Sequence, residues 1–359
     1  LKGYGASGTA PATVRFRSGA VPPRTADLQL LRRAKEERPP VRRNPGASLV
    51  DLGDGVLGLE FHSKMNAIGG DTVAMMNAGI KEASRNFEAL VIGNDAPAFS
   101  AGANLMLLLL EAQEENWDEI DLMVRTFQSA VLGLRYARVP VVVAPAGLAL
   151  GGGCEIVLHG DRVQAAAETY MGQVEAGAGL IPAGCGTKEL LARFTARAPS
   201  ATADMLPYIQ DAFELIGFGK VSTSAADARR LGLLRDTDAV TMNRERLIAD
   251  AKAAALDLAR RGYQPPAPRD ISVGGAGVRA ALDLGVHLAW RGGRISDYDA
   301  HIGRTLSRIL AGGDLPHATT VSEQRLLDLE REAFLSLCGQ PRTQERIAHV
   351  LKTGKPLRN

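Results

Sequence analysis

The spacing of apolar residues predicts that strands and helices alternate along the chain from about residue 56 onward. Val56–Phe61 and Ala89–Gly93 are apolar runs of strand length, and residues 140–145 form a third run bounded by prolines. Between these runs, residues 71–87 repeat apolar side chains at spacings of three and four, and a longer helix is predicted around Trp117–Arg135. Strands that alternate with helices are typical of an α/β architecture.

The pattern becomes mainly helical beyond about residue 188. A capping-box pattern begins at Ser224, and Gly232 is expected to end the helix that follows. Residues 320–323 form a second cap ahead of the amphipathic run 326–337. The glycine-rich segment 274–277 lacks the spacing of a dinucleotide-binding fingerprint, so it is interpreted as a loop.

The first 47 residues differ from the rest of the chain in charge and composition. They hold ten Lys/Arg against three Asp/Glu and six of the 18 prolines, whereas the remainder holds 32 Lys/Arg and 37 Asp/Glu. We interpret residues 1–47 as a linker or the tail of an upstream domain. Because the sequence does not begin with Met, we expect it to be a piece of a longer protein. The alternative is that Leu28, Leu30 and Leu31 begin a short helix, ended by Pro39, that docks on the core.

Composition and charge are those of a globular protein with no strong attraction to nucleic acid or membranes. Apolar residues make up 45% and charged residues 23% of the chain, and the formal net charge is +2. The most apolar stretch, residues 139–153, is too short and too interrupted by proline and glycine to span a bilayer. Three irregularly spaced cysteines and six scattered histidines indicate neither a disulfide framework nor a metal site, and they favour a reducing, cytoplasmic location.

Two glycine-containing turns, residues 99–104 and 148–155, each follow a buried strand and are the first candidates for chemistry. A turn that opens a helix leaves backbone N–H groups unpaired and places the positive end of the helix dipole beside them. Two such turns side by side would direct two donors at one oxygen. That is an oxyanion hole, suited to a thioester carbonyl that becomes an enolate. The alternative is that both are ordinary tight turns.

Two glutamates near these turns are candidates for acid–base chemistry. Glu155 lies in the first turn of the helix that residues 151–153 open, and Glu175 follows 20 residues later. A short helix and a returning strand would bring the two carboxylates to one pocket, where burial and mutual repulsion raise at least one pKa. One could then hold a water as base while the other donates a proton. The alternatives are a helix-dipole residue for Glu155 and a surface glutamate for Glu175.

Together these segments resemble the signatures of the crotonase (enoyl-CoA hydratase/isomerase) superfamily. The resemblance is carried by five segments, residues 63–67, 99–105, 148–155, 172–187 and 224–234. It implies an α/β fold that is a crotonase-like spiral of ββα units with a helical C-terminal region. The chain would then divide into the arm 1–47, a catalytic core at 48–235 and the helical C-terminal region at 236–359.

Carried over position by position, the resemblance implies an enzyme of fatty-acid β-oxidation. It would add water in syn geometry to a trans-2-enoyl-CoA and give a 3-hydroxyacyl-CoA. The oxyanion donors would be the backbone N–H groups of Ala103 and Gly152. Glu155 would mainly orient and activate water, and Glu175 would mainly protonate the α carbon. The residues implied to bind the substrate are Lys64, Asn66, Ala67, Ala101, Gly102, Gly151 and Pro182. Coenzyme A is part of the substrate, and the resemblance implies neither a bound cofactor nor a metal ion.

Three positions depart from the family pattern. Asn104 stands where many hydratases have Asp, Met106 where many have a Lys near the CoA phosphates, and Cys185 where Gly is usual. The first two leave both backbone donors intact but change the usual contacts with CoA.

The whole chain is similar to the C-terminal part of bacterial bifunctional proteins that carry a 3-hydroxyacyl-CoA dehydrogenase ahead of the hydratase. This similarity implies an upstream dehydrogenase domain on the same polypeptide, and the superfamily implies a homo-oligomer, either a trimer or an assembly of trimers. Two other functions stay open. One is an enoyl-CoA isomerase or other crotonase chemistry, and the other is a non-catalytic module that binds acyl-CoA or partner subunits. The presence of both glutamates favours the hydratase.

Overall fold

The structure, a computed structural model, describes residues 31–200 and 203–359. Its strands are β1 (Arg42–Arg43), β2 (Ala47–Asp51), β3 (Val56–Phe61), β4 (Ala89–Gly93), β5 (Val141–Ala144), β6 (Gly147–Leu150), β7 (Arg162–Ala166), β8 (Thr169–Gly172), β9 (Ala239–Thr241), β10 (Asp270–Val273) and β11 (Thr319–Ser322).

The α-helices of the described residues include both long amphipathic elements and short ones. They are α1 (Leu31–Glu37), α2 (Gly70–Asn86), α3 (Leu105–Gln113), α4 (Trp117–Arg135), α5 (Gly152–Leu158), α6 (Gly186–Thr195), α7 (Leu206–Gly217), α8 (Ala225–Arg230), α9 (Leu247–Arg260), α10 (Gly275–Arg291), α11 (Asp297–Leu310), α12 (Glu323–Cys338) and α13 (Pro341–Thr353). None of these helices combines the length and apolarity needed to cross a membrane.

The central sheet has the order β1-β2-β3-β4-β5-β7-β9, antiparallel as far as β3 and parallel from β3 onward. Strands β3, β4 and β5 are buried along their whole length, because helices cover both faces of the parallel part. Successive side chains of each strand therefore point to opposite faces of the sheet and pack in different hydrophobic cores. Leu90 and Ile92 pack in the larger core, whereas Val91 packs with the residues of α9 on the other face. The predicted strands and the α/β class are confirmed.

A second, smaller parallel sheet of β6 and β8 sets the position of the glycine turns. Gly147 to Leu150 pair with Thr169 to Gly172, and single bridges join Ser100 to Ala149 and Ile68 to Ala103. The turn before α3 and the turn before α5 therefore lie side by side at one edge. Helix α5 starts at Gly152, as the triple glycine predicted.

The C-terminal region is helical, as predicted, but it also contains a strand pair. Strand β10 pairs antiparallel with β11, which lies about 50 residues later in the chain. The interpretation of segment 274–277 as a loop was wrong, because α10 begins at Gly275 directly after β10. A local pattern cannot reveal a strand whose partner is this distant. The predicted cap at Ser224 is confirmed, since its side chain accepts from Asp227 N. In segment 320–323 the N-cap is Ser322, which accepts from Arg325 N, whereas Thr320 pairs with Ser272 in the strand pair.

The described part of the N-terminal arm is docked on the sheet. Leu31 and Ala34 of α1 are buried against the core under α9, and Lys35 forms an ion pair with the largely buried Glu60 at 2.8 Å. Strand β1 adds to the sheet beside β2. The contacts of α1 support the docked-helix alternative, although Leu28 and Leu30 lie outside the described residues. The division of the chain at residues 47 and 235 stays a prediction.

We therefore expect Leu31→Ala to lower the free energy of unfolding by about 2–4 kcal/mol, the usual cost of emptying a buried leucine site. Leu31 is only 2% exposed. The matched control is Arg32→Ala on the exposed face of the same helix, where the ion pair with Glu36 contributes little. Denaturant unfolding of both variants measures the difference. Equal midpoints would show that the arm is not structural, and a truncation beginning near Asn44 would then be harmless.

Candidate active site

Two backbone N–H groups from the neighbouring glycine turns are free within the described residues. The N–H of Ile68 donates to Gly102 O at 2.8 Å and that of Asn104 donates to Ile68 O at 3.0 Å, so the intervening N–H of Ala103 faces the other way. Gly152 is the first residue of α5, where the N–H has no acceptor within the helix. A Cβ built on Gly102 would lie 3.6 Å from Gly152 N. The two donors are therefore neighbours.

Glycine is required at these turns for two separate reasons. Gly102 and Gly151 have φ values of +99° and +51°, which side chains rarely adopt. Gly153 has no room, because a Cβ there would lie 2.6 Å from the Cβ of Ser100. The glycine run therefore lets α5 begin directly beside the preceding turn.

Glu155 extends from the first turn of α5 into a closed space. Its side chain is almost fully buried, and its Oε1 accepts the N–H of Gly186 at 2.7 Å. A Cβ at Gly184 would lie 2.4 Å from its Oε2. The turn before α6 therefore wraps closely around this carboxylate.

Glu175 begins a 3-10 turn, Glu175–Ala178, and its carboxylate lies against Gly151. A Cβ at Gly151 would be 2.9 Å from Glu175 Oε1. With its amide nitrogen turned toward Glu175, the buried Gln173 donates to both carboxylate oxygens, at 3.1 and 3.2 Å. The fold thus brings the two glutamates, 20 residues apart in sequence, to one site beside the free donors.

Both carboxyl groups have a raised pKa because both are enclosed. Burial raises the pKa of Glu155 to about 7, partly offset by the N–H groups of Gly186 and Gly184, which favour its ionised form. Burial and the nearby charge of Glu155 raise the pKa of Glu175 well above its usual value. The charge of Glu155 opposes ionisation of Glu175, so the two carboxyl groups titrate as an interacting pair.

The raised pKa of Glu155 has a consequence for stability. Between the usual value of 4.5 and about 7, the folded protein keeps a proton that the unfolded chain loses, so stability falls as pH rises through this interval. Glutamine cannot ionise, so we expect the melting temperature of Glu155→Gln to exceed that of the wild type by several degrees near pH 8. Near pH 5 the difference in melting temperature should be smaller. Thermal melts at both pH values measure this. The exposed Glu168→Gln is the control, and a margin for Glu155→Gln that does not change with pH would contradict the assignment.

The loop proposed to bind the substrate lies next to the first glycine turn. The N–H of Ala101 donates to Met65 O at 3.1 Å. This bond connects the loop that contains the exposed Lys64 and the half-buried Ala67 to the first glycine turn. Asn66 points inward, and its Nδ2 donates to Ala98 O at 2.9 Å, so its side chain shapes the loop from inside.

Pro182 is also buried, in the turn ahead of α6. Its carbonyl accepts the hydroxyl of Thr187 at 2.9 Å. A Cβ built on Gly186 would lie 2.9 Å from Pro182 Cβ and 2.7 Å from Glu155 Oε1, so Pro182 lies close to the carboxylate of Glu155.

The three departures from the family pattern have local explanations or consequences. Asn104 caps α3, because its Oδ1 accepts the N–H of Leu107 at 3.3 Å. Cys185 has a φ of +82°, a conformation that favours glycine. Met106 is half exposed on α3 and offers no charge to a phosphate.

Sequence reasoning missed two buried polar residues at this site, Gln173 and Glu330. Gln173 contacts Glu175, and Glu330 accepts the N–H groups of Cys185 and Lys188 beside Glu155. Gln173 lies inside a recognised segment and could have been noted there. Glu330 belongs to an amphipathic helix and carries no local signal. Within residues 31–200 and 203–359, no group of three or more His, Cys, Asp or Glu side chains is arranged to hold a metal ion.

Comparison with known proteins identifies relatives of this chain. A protein from Bacillus subtilis (strain 168), described as a probable 3-hydroxyacyl-CoA dehydrogenase, is 45% identical over 92% of this chain and 41% of its own length. The mitochondrial methylglutaconyl-CoA hydratase of Mus musculus is 28% identical over 64% of this chain and 67% of its own. The chain thus spans about two-fifths of the length of the bacterial relative.

Solved structures show the same fold. The crystal structure of enoyl-CoA hydratase from Bacillus halodurans superposes with a TM-score of 0.57 at 17% identity, covering 84% of this chain and 98% of that one. The crotonase-like fold predicted from the sequence is therefore confirmed. The family model described as enoyl-CoA hydratase/isomerase matches residues 52–241, which include both glycine turns and both glutamates. Because this match covers more than half of the 359 residues, the chain belongs to the enoyl-CoA hydratase/isomerase family.

Proposed function

We propose that this chain is an enoyl-CoA hydratase that adds water to a trans-2-enoyl-CoA in syn geometry. The observation that carries the proposal is a pair of enclosed carboxyl groups, Glu155 and Glu175, that lie in one site beside two free backbone donors. Hydration needs a base for water and an acid for carbon at the same time, which this pair supplies.

In the proposed reaction, the N–H groups of Ala103 and Gly152 hold the thioester oxygen as negative charge develops on it. Ionised Glu155 takes a proton from water while the hydroxide oxygen bonds to the β carbon. Neutral Glu175 gives its proton to the α carbon, so that an enolate does not accumulate. The proton gained by Glu155 then returns to Glu175, and the pair is ready for another turnover.

The relatives support this substrate class. The mouse relative is named as a hydratase of a CoA thioester, and we carry that reaction type over to this chain. The bacterial relative is named as a 3-hydroxyacyl-CoA dehydrogenase. Such an enzyme would oxidise the product of this chain, so we propose a dehydrogenase domain on the same polypeptide as its partner.

An assay with crotonyl-CoA tests the proposal. We expect loss of the ultraviolet absorbance of the conjugated thioester, with 3-hydroxybutyryl-CoA as product. Conversion of a 3-enoyl-CoA to the 2-enoyl isomer without hydration would favour the isomerase. Binding of crotonyl-CoA without turnover would favour a non-catalytic module, and either result would overturn the hydratase.

A further inference from the structure

A third buried carboxyl group lies beside the candidate active site. Glu330, near the middle of α12, is fully buried, and it accepts two backbone N–H groups from the start of α6. Its Oε2 accepts from Cys185 N at 3.1 Å, and its Oε1 accepts from Lys188 N at 2.5 Å. Helix α12 lies outside the family match at residues 52–241, so the family pattern assigns Glu330 no role.

Gly186, which lies between these two donor residues, directs its N–H at Glu155. Gly186 N donates to Glu155 Oε1 at 2.7 Å, while the N–H groups of Cys185 and Lys188 point to Glu330. The turn therefore sits between two carboxyl groups. It also contains a non-glycine residue, Cys185, at a φ of +82°, a conformation that persists only when surrounding contacts hold it.

We infer that Glu330 is a positioning residue, which holds the turn at residues 184–188 so that the N–H of Gly186 stays directed at Glu155. The inference rests on the proposed function for its consequence in catalysis. Two acceptor oxygens on one rigid side chain fix two points of the turn, and Gly186 lies between those points. Loss of either point would let the Gly186 N–H move away from Glu155.

Glu330 acts through geometry rather than through charge. Burial and the nearby Glu155 raise the pKa of Glu330 well above its usual value, although Lys188 and the two N–H groups oppose this. In either protonation state, each of its oxygens has a lone pair for a backbone donor. Other titratable groups facing it are Cys185 and, more weakly, Glu175.

The test is Glu330→Gln, which keeps the size of the side chain but sets an NH2 donor against one of the two backbone N–H groups. We expect kcat for crotonyl-CoA to fall about 10- to 100-fold with little change in KM, because a displaced turn misplaces Glu155. The acid limb of the pH profile should shift upward by about half a unit to one unit, since Glu155 loses a donor that favours its charge. The control is Glu332→Gln, an exposed site on the same helix, which should leave both quantities unchanged.

Three outcomes decide the inference. An unshifted pH profile would overturn it, since it would mean that Glu330 only contributes to packing. A downward shift would also overturn it, because Glu330 would then act as a negative charge. An upward shift with reduced kcat would support it.

A second measurement separates this inference from the proposed function. The melting difference between Glu155→Gln and the wild type, followed against pH, reports the pKa of Glu155 without any assay of activity. In the Glu330→Gln background, the midpoint of this pH dependence should move to higher pH, even if the protein proves not to hydrate crotonyl-CoA. If Glu330→Gln fails to fold, Glu330→Asp replaces it. The shorter side chain keeps two acceptors that reach the turn less well, so the same upward shift is expected and its absence would overturn the inference.

Discussion

Glu155→Gln and Glu175→Gln are each expected to lower the rate of crotonyl-CoA hydration by at least about 10²-fold, the low end for a positioned acid or base. Each glutamine keeps the shape of its glutamate but cannot exchange a proton. For Glu155, the amide oxygen can still accept the N–H of Gly186, so the turn around it should survive. For Glu175, the neighbouring amide of Gln173 can still find an acceptor.

Steady-state kinetics with crotonyl-CoA measure both variants. The control is Glu168→Gln, an exposed glutamate between β7 and β8, which should retain full activity. A variant with turnover close to that of the wild type would remove its residue from the mechanism. Equal losses in both variants and in the double variant would indicate that the two carboxyl groups work as one unit.

Gly152→Pro is expected to lower kcat by about 10²–10³-fold, the usual cost of one lost oxyanion donor. The change removes the free N–H at the first residue of α5. Proline is well tolerated at that helical position, because its missing N–H would have no helical acceptor and its fixed φ suits the helix. The variant is therefore expected to keep more of its fold than a proline elsewhere in the helix would allow.

Gly152→Ala is the matched control for this prediction. Its Cβ would lie 3.1 Å from Ile68 Cδ1 and 3.4 Å from Phe127, as the Cβ of proline would, but alanine keeps the N–H. A much larger loss of kcat in the proline variant than in the alanine variant would assign the effect to the donor. If a folded Gly152→Pro protein hydrates crotonyl-CoA normally, the oxyanion hole lies elsewhere.

Residues that interact with near neighbours in the chain were predictable from the sequence. Strands β3 and β4 match the predicted runs, since a strand covered on both faces is apolar without interruption. The caps at Ser224 and Ser322 bond to backbone three residues away, so their patterns are local. The glycine run before Glu155 is similarly local, because it reflects a backbone turn that other residues cannot make or fill.

The tertiary structure decided what depends on residues far apart in the chain. The sequence named Glu155 and Glu175 but could not show that the pKa of each is raised, which follows from burial and, for Glu175, from the nearby charge of Glu155. Strand β10 was missed because its partner lies about 50 residues away. Glu330 was missed because an amphipathic helix shows a buried position but not what that position contacts. Local patterns thus determined the fold class and the candidate carboxylates, whereas packing between distant elements decided the electrostatics of the site and which side chains hold it in place.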